Sequence, residues 1–275
     1  MSVLDEIIVG VKEDLQARKD SVSAELIIER AKQAAPALDI LEYFSPGNFG
    51  VIAEVKRSSP SKGALAAIDD PAALAKSYQE GGACAVSVLT EKRRFNGSLA
   101  DLAAVRAAVT IPILRKEFIV DEYQIFEARA YGADVILLIV AALNDQQLIS
   151  FSELTHSLGM RTLIEIHDEE ELHRVIRLSE VGALAVDLLG INARNLKTLE
   201  INSGIFAQLS PRVRLKTPLI AESGISTVDE VGSLAAAGAD GILVGEALVK
   251  DGKPAESIRT FLHRAEARRV RRLSP

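Results

Sequence analysis

The sequence predicts a (β/α)8 barrel, the TIM barrel arrangement, with a helical extension at its N-terminus. Three observations lead there. Eight strand-like apolar runs follow one another from residue 51, their starts 21 to 33 residues apart. A helical pattern lies between each run and the next, as parallel strands joined by right-handed crossovers require. Runs such as Val135–Val140 are apolar on both faces, as in a sheet covered by helices. The competing arrangement, a doubly wound sheet, usually needs fewer units and marks its first turn with GxGxxG, which is absent here.

Residues 1–48 form the extension. Leu4, Ile7, Ile8 and Val11 make an i, i+3, i+4, i+7 stripe that continues in polar form through Lys12–Arg18. A shorter helix is expected over Ala24–Ala34, ahead of Pro36. Residues 49–275 form the barrel, and the chain reads as a single domain. Strands are expected at Val51–Lys56, Ala83–Thr90, Pro112–Phe118, Ala133–Val140, Thr162–Ile166, Ala185–Ile191, Pro218–Gly224 and Gly241–Gly245. Helices are expected at Pro71–Glu80, Ser98–Ala108, Glu122–Ala130, Asp145–Leu158, Glu169–Ser179, Ile205–Leu209, Val228–Ala237 and Glu256–Arg268. Asp70 ahead of Pro71, and Ser226 or Thr227 ahead of Asp229-Glu230, read as N-caps. Four helices run into Gly-Ala steps (Gly82-Ala83, Gly132-Ala133, Gly182-Ala183, Gly238-Ala239), where glycine supplies the left-handed turn back to a strand.

Composition narrows the function classes. With 48 % apolar and 25 % charged residues, the 275-residue chain reads as an ordinary soluble globular protein. A net charge of −6 with scattered Lys and Arg argues against nucleic acid as a partner. The basic cluster Arg264 to Arg272 suits the end of a last helix, where cations complement the dipole. No apolar run reaches membrane-spanning length and no signal peptide precedes the acidic start, so a cytoplasmic enzyme without a membrane partner is expected. One cysteine, Cys84, and four histidines without ligand spacing predict neither metal nor other cofactor. The expected state is a monomer or weak homo-oligomer.

In a barrel, chemistry gathers at the C-terminal ends of the strands. Five of those ends are polar here. The first carries Glu54 and Lys56 on one face with Ile52, and the third carries Lys116 on the face of Leu114. Glu165 shares the Leu163 face of the fifth. The sixth runs into Asn192 and Arg194, and the seventh into Glu222, Ser223 and Gly224. Ser223-Gly224 and Gly245-Glu246 follow the last two strands, where barrels bind phosphate with backbone N–H groups. Ser59 could add a hydroxyl, and Glu246 can serve only through its N–H, its carboxylate pointing away.

These residues resemble one family along the whole chain, extension included. Ile52-Ala53-Glu54-Val55-Lys56-Arg57-Ser58-Ser59-Pro60-Ser61-Lys62-Gly63 resembles the signature of the indole-3-glycerol phosphate synthases. Ser87-Val88-Leu89-Thr90-Glu91, Phe95-Asn96-Gly97-Ser98, Leu114-Arg115-Lys116-Glu117-Phe118, Leu163-Ile164-Glu165-Ile166-His167, Gly190-Ile191-Asn192-Ala193-Arg194 and Glu222-Ser223-Gly224-Ile225 resemble its further blocks, in order. Ala193 departs from the polar residue common there.

The resemblance implies a small phosphate substrate, 1-(2-carboxyphenylamino)-1-deoxyribulose 5-phosphate, and a reaction of ring closure, decarboxylation and dehydration. Ring closure places negative charge on the ketone oxygen, for which Lys116 is the first choice of proton donor. Lys56, Asn192 and Arg194 are candidates for the substrate carboxylate. Loss of water needs an acid and a base, and the family pattern leaves Lys56 and Glu165, without deciding which lysine serves which step. Glu54 would hold Lys56, and Glu222 joins the catalytic candidates. Phe95, Phe118 and Leu137 are candidate walls for the aromatic ring. A phosphoribosylanthranilate isomerase-like enzyme is the alternative, and it looks for a Cys or Asp pair at strand ends. A non-catalytic phosphate-binding barrel is the other, and it predicts a missing acid or base.

Overall fold

The computed structural model describes residues 2–45, 47–59, 63–64, 68–196 and 198–273. Eight parallel strands close into a barrel in chain order: β1 Gly50–Val55, β2 Ala85–Leu89, β3 Ile113–Lys116, β4 Val135–Ile139, β5 Arg161–Ile166, β6 Leu188–Asn192, β7 Leu219–Glu222 and β8 Gly241–Val244, with β8 pairing back onto β1. Every predicted strand is present, most of them shorter than expected by one to three residues, while β1 and β5 begin one residue earlier and β6 runs one residue further.

Alternation decides what each strand buries. Ile52, Leu114, Leu137, Leu163, Leu188, Ile220 and Leu243 fill the bore. Val51, Val86, Ile113, Ile136, Ile164, Leu189 and Ile242 face outward under the helices. Each such aliphatic side chain contributes roughly 1.5–3 kcal/mol on burial. The bore parity carries Glu54, Lys116 and Glu165 to the same open end.

The extension comprises α1 Val3–Ser21 and α2 Ala24–Gln33, followed by a 3-10 turn, Ile40–Phe44. That turn plugs the end of the barrel away from the strand C-termini. Ile40 is fully buried. The Phe44 ring sits where β1 and β8 begin with Gly50 and Gly241; a Cβ there would approach it to 2.6 and 2.9 Å. Helix α1 lies at the opposite, open end, tied down by Arg93 to Asp14 at 2.9 Å and Arg94 to Glu6 at 3.0 Å. Its Leu4, Ile7 and Val11 join the cluster containing Phe118.

The outer helices are α3 Pro71–Glu80, α4 Leu99–Ala108, α5 Glu122–Ala130, α6 Asp145–Ser157, α7 Glu169–Glu180, α8 Ile205–Leu209, α9 Val228–Ala236, α10 Glu246–Val249 and α11 Pro254–Leu273. Asp70 caps α3 by accepting from the Ala73 N–H, and Thr227 forms a capping box with Glu230. Gly82, Gly132, Gly182 and Gly238 all have positive φ, as helix-ending glycines should. The last helix extends past the expected Arg268, carrying the basic cluster along it, with Arg264 on Asp229. The turn after β1 contains a short antiparallel ribbon that pairs Ser58–Ser59 with Gly63–Ala64. Short 3-10 turns at Ile40–Phe44, Val140–Ala142 and Ser210–Arg212, and helix α10, carry no period long enough to read from sequence.

Candidate active site

The open end of the barrel holds a chamber of about 440 Å³. Glu54, Lys56, Lys116, Glu165, Asn192, Arg194, Glu222, Ser223, Gly224, Gly245 and Glu246 all line it, as do Phe95, Phe118 and Leu137. The side chain of Ser59 lies outside the described residues. All the other predicted site residues meet in one place, because register sets strand ends side by side: Leu89 pairs with Lys116, Glu165 with Gly190, and Asn192 with Glu222.

Lys116 is the centre of the charge. Its side chain is only 13 % exposed, and its Nζ lies 2.5 Å from Glu165 Oε2 and 3.1 Å from Glu222 Oε2. Burial pushes the ammonium's pKa down, but Glu165, Glu222 and Glu54 outweigh it, and the net shift is upward. Burial likewise raises Glu165, yet Lys116 and His167 hold it below the usual carboxylate range. Glu222 goes the other way: burial and the neighbouring Glu165 raise it against the pull of Lys116. Two carboxylates around one ammonium thus shift in opposite directions.

Glycines make room for this arrangement. A Cβ at Gly190 would sit 2.0 Å from Glu222 Oε1, so β6 needs glycine for the β7 carboxylate to reach Lys116. Gly245 passes Glu54 closely, where a Cβ would lie 3.3 Å from Oε1. Across the bore, Lys56 Nζ lies 2.7 Å from Glu54 Oε1, the pairing expected from their shared strand face. The Tyr78 hydroxyl donates to the Glu54 carbonyl at 3.0 Å and steadies the strand end.

Asn192 accepts the Arg194 N–H at 2.9 Å through Oδ1, which leaves its amide NH2 for a ligand. The Arg194 guanidinium donates to the Leu199 carbonyl at 3.0 Å. Ser223 has φ +66° and Gly224 φ +72°, so the chain makes a left-handed double step after β7. A Cβ at Gly224 would meet Ile201 at 2.8 Å. Phe95 and Phe118 stand 6.4 Å apart, tilted by 37°, as one wall.

Sequence reasoning missed several lining residues. Leu196, Leu199 and Ile201 come from the loop after β6, Ile7 from α1, and Lys250 from the end of α10. Three apolar residues in one loop were the available signal for the first group; nothing local marks Ile7 or Lys250. His167 was also given no role. Its Nδ1 lies 3.1 Å from Glu171 Oε2 and its Nε2 3.2 Å from Glu165 Oε1. Burial lowers its pKa, but the two carboxylates prevail and raise it to about 10. Cys84 lies just ahead of β2, at the closed end, its thiol pushed up to about 12 by burial. It stands away from the chamber, against the isomerase alternative.

Among the described residues no group of three His, Cys, Asp or Glu side chains is placed to hold a metal ion, and no helix is long and apolar enough to cross a membrane. The fold resembles a thiamine phosphate pyrophosphorylase from Pyrococcus furiosus, with TM-score 0.59 at 14 % identity over 82 % of this chain and 98 % of that one. The chain is 53 % identical over 266 residues to the indole-3-glycerol phosphate synthase of Paenarthrobacter aurescens, covering 95 % of this chain and 96 % of that protein. It is 52 % identical over 257 residues to that of Mycolicibacterium smegmatis, covering 94 % and 92 %. The profile of the family described as indole-3-glycerol phosphate synthase matches residues 4–261. A closed barrel, a family profile that matches residues 4–261 and relatives at about half identity lead to one conclusion: the chain belongs to the indole-3-glycerol phosphate synthase family.

Proposed function

We propose that the chamber converts 1-(2-carboxyphenylamino)-1-deoxyribulose 5-phosphate to indole-3-glycerol phosphate, with Lys116 as the acid of ring closure. The observation that carries this assignment is Lys116 itself, a nearly buried ammonium between two buried carboxylates at the meeting point of β3, β5 and β7. Ring closure forms a bond from the carboxyl-bearing ring carbon to the ketone carbon, and the ketone oxygen takes a proton. A positioned ammonium supplies that proton and stabilises the oxygen's developing charge.

The carbon–carboxylate bond then breaks, CO₂ leaves, and the electron pair returns to the ring. The carboxylate's grip must be loose enough not to stabilise the ground state. Lys56 and the amide NH2 of Asn192 suit that grip, while Arg194 is engaged by its own loop. In the last step the hydroxyl departs as water, protonated by Lys56, and Glu165 takes the ring proton. Lys116 and His167 keep Glu165 ionised and so able to accept. Glu54 holds Lys56, and Glu222 holds Lys116.

The phosphate lies on the backbone N–H groups of Ser223, Gly224, Gly245 and Glu246, with Lys250 alongside. The hydroxyl of Ser59 is a further candidate. The aromatic ring lies between Phe95, Phe118 and Leu137, with Ile7 on the same chamber wall. Indole absorbance or fluorescence after adding the substrate to pure protein tests the reading. Appearance of indole-3-glycerol phosphate is expected; its absence would sink the assignment.

A further inference from the structure

Strand β3 turns two charged side chains away from the bore. By parity Ile113, Arg115 and Glu117 share the outer face, and Ile113 is apolar as a helix-covered face requires. Arg115 and Glu117 are charged and buried all the same, as are the polar Thr90 after β2 and Gln124 and Glu127 of α5. These groups pair with one another. The Thr90 hydroxyl accepts from Arg115 Nε at 3.1 Å and donates to Glu117 Oε2 at 2.8 Å. Arg115 gives Nη1 to the Gln124 carbonyl at 2.8 Å and Nη2 to Glu127 Oε2 at 2.9 Å. Burying charges costs desolvation, and apolar side chains of similar volume often serve a fold as well or better. Stability alone does not call for this network. What it grips is the stretch where the sheet gives out. On the β4 side the register stops at Arg115 with Ile136, one residue short of Lys116. On the β2 side it stops at Leu89 with Lys116, and the Thr90 N–H then donates to the Lys116 carbonyl at 3.2 Å. Thr90 therefore holds three successive residues, Lys116 through its backbone and Arg115 and Glu117 through its hydroxyl.

We infer that Thr90 is a positioning residue for Lys116, its hydroxyl fixing the strand end that aims the ammonium into the chamber. The inference rests on Lys116 being the acid of ring closure. Leu89 lines the chamber and Thr90 does not, so the hydroxyl acts through β3 and not on the substrate. Its chemistry suits the place, because one hydroxyl oxygen can accept from a guanidinium and donate to a carboxylate at once. Without it, Arg115 Nε and Glu117 Oε2 lose their shared partner in a buried site, a costly state that a shift of the strand end would relieve. Phe118 has an anchor of its own. Gln124 donates Nε2 to the Phe118 carbonyl at 3.0 Å and accepts the Val120 N–H through Oε1 at 2.9 Å. Loss of the Thr90 hydroxyl is therefore expected to disturb the lysine and spare the slot for the aromatic ring.

Steady-state kinetics on 1-(2-carboxyphenylamino)-1-deoxyribulose 5-phosphate test this in wild type, Thr90→Val, Thr90→Ala and Thr90→Ser, with circular dichroism on the same preparations. Valine keeps the shape and removes the hydroxyl, alanine removes it without a branch to accommodate, and serine keeps the hydroxyl and loses the methyl. In the valine and alanine variants kcat is expected to fall about tenfold to a hundredfold, with KM within about twofold of wild type. Thr90→Ser is expected to keep kcat within about threefold, since the shared hydrogen bonds remain. Three results would each overturn the inference: wild-type kcat in a folded variant without the hydroxyl, a loss in Thr90→Ser equal to that in Thr90→Val, or a KM that rises as far as kcat falls. Absence of indole-3-glycerol phosphate from the wild type would instead sink the assignment of the chamber, so the two failures read differently.

Discussion

Lys116 keeps its charge in a nearly buried place because carboxylates surround it. Removing it leaves Glu165 and Glu222 facing each other without a cation. In Lys116→Ala, kcat is expected to fall on the order of 10²–10⁴-fold while KM changes little, since the proton is needed in the transition state. Steady-state kinetics check this, and equal losses in turnover and affinity would reduce Lys116 to a binding group. His167 gives a pH signature. Its folded-state pKa is raised from 6.5 to about 10, so its stabilisation is complete below pH 6.5 and lost as pH rises toward 10. The stability gap between wild type and His167→Gln, from urea melts, is expected to shrink over that window. A gap that is flat or grows with pH would contradict the assigned cation.

Strand register, more than any one side chain, assembles the site. Glu222 can reach Lys116 only because β6 presents Gly190 to it, 2.0 Å from where a Cβ would stand. Gly190→Ala must therefore push Glu222 aside. Displacements of about 1 Å in such sites cost on the order of 10²-fold in rate. Gly190→Ala is expected to lose activity on that scale while circular dichroism shows the barrel still folded. Full activity in a folded variant would mean that Glu222 does not need its present position. Local sequence makes part of this legible. Strand parity predicted that Ile52, Glu54 and Lys56 share a face, and that Lys116 follows Leu114 up the bore. Parity says nothing of Gly190, because the clash it avoids is with a residue 32 positions away.

The molecule as a whole divides into a stability end and a chemistry end. Ile40 is fully buried beneath the bore, at the far end from Lys116. Ile40→Ala is expected to destabilise the fold by about 2–5 kcal/mol with kcat unchanged below the melting range. Thermal melts and assays on one preparation check both halves, and a comparable loss of kcat would show that the plug reaches the site. Eight repeating units, glycine-closed helices and alternating apolar faces were written in the chain itself, since each reflects interactions a few residues apart. So were the acids and bases at the mouth, because strand ends in a barrel have only one place to point. The tertiary structure alone decided the rest. It set Glu165 below and Glu222 above the usual carboxylate range, since the two differ in what lies beside them. It brought Ile7, Leu199 and Lys250 to the chamber from three distant segments, and the Thr90 hydroxyl to Arg115 and Glu117. Burial, charge neighbourhood and long-range contact arise only once the chain has closed on itself.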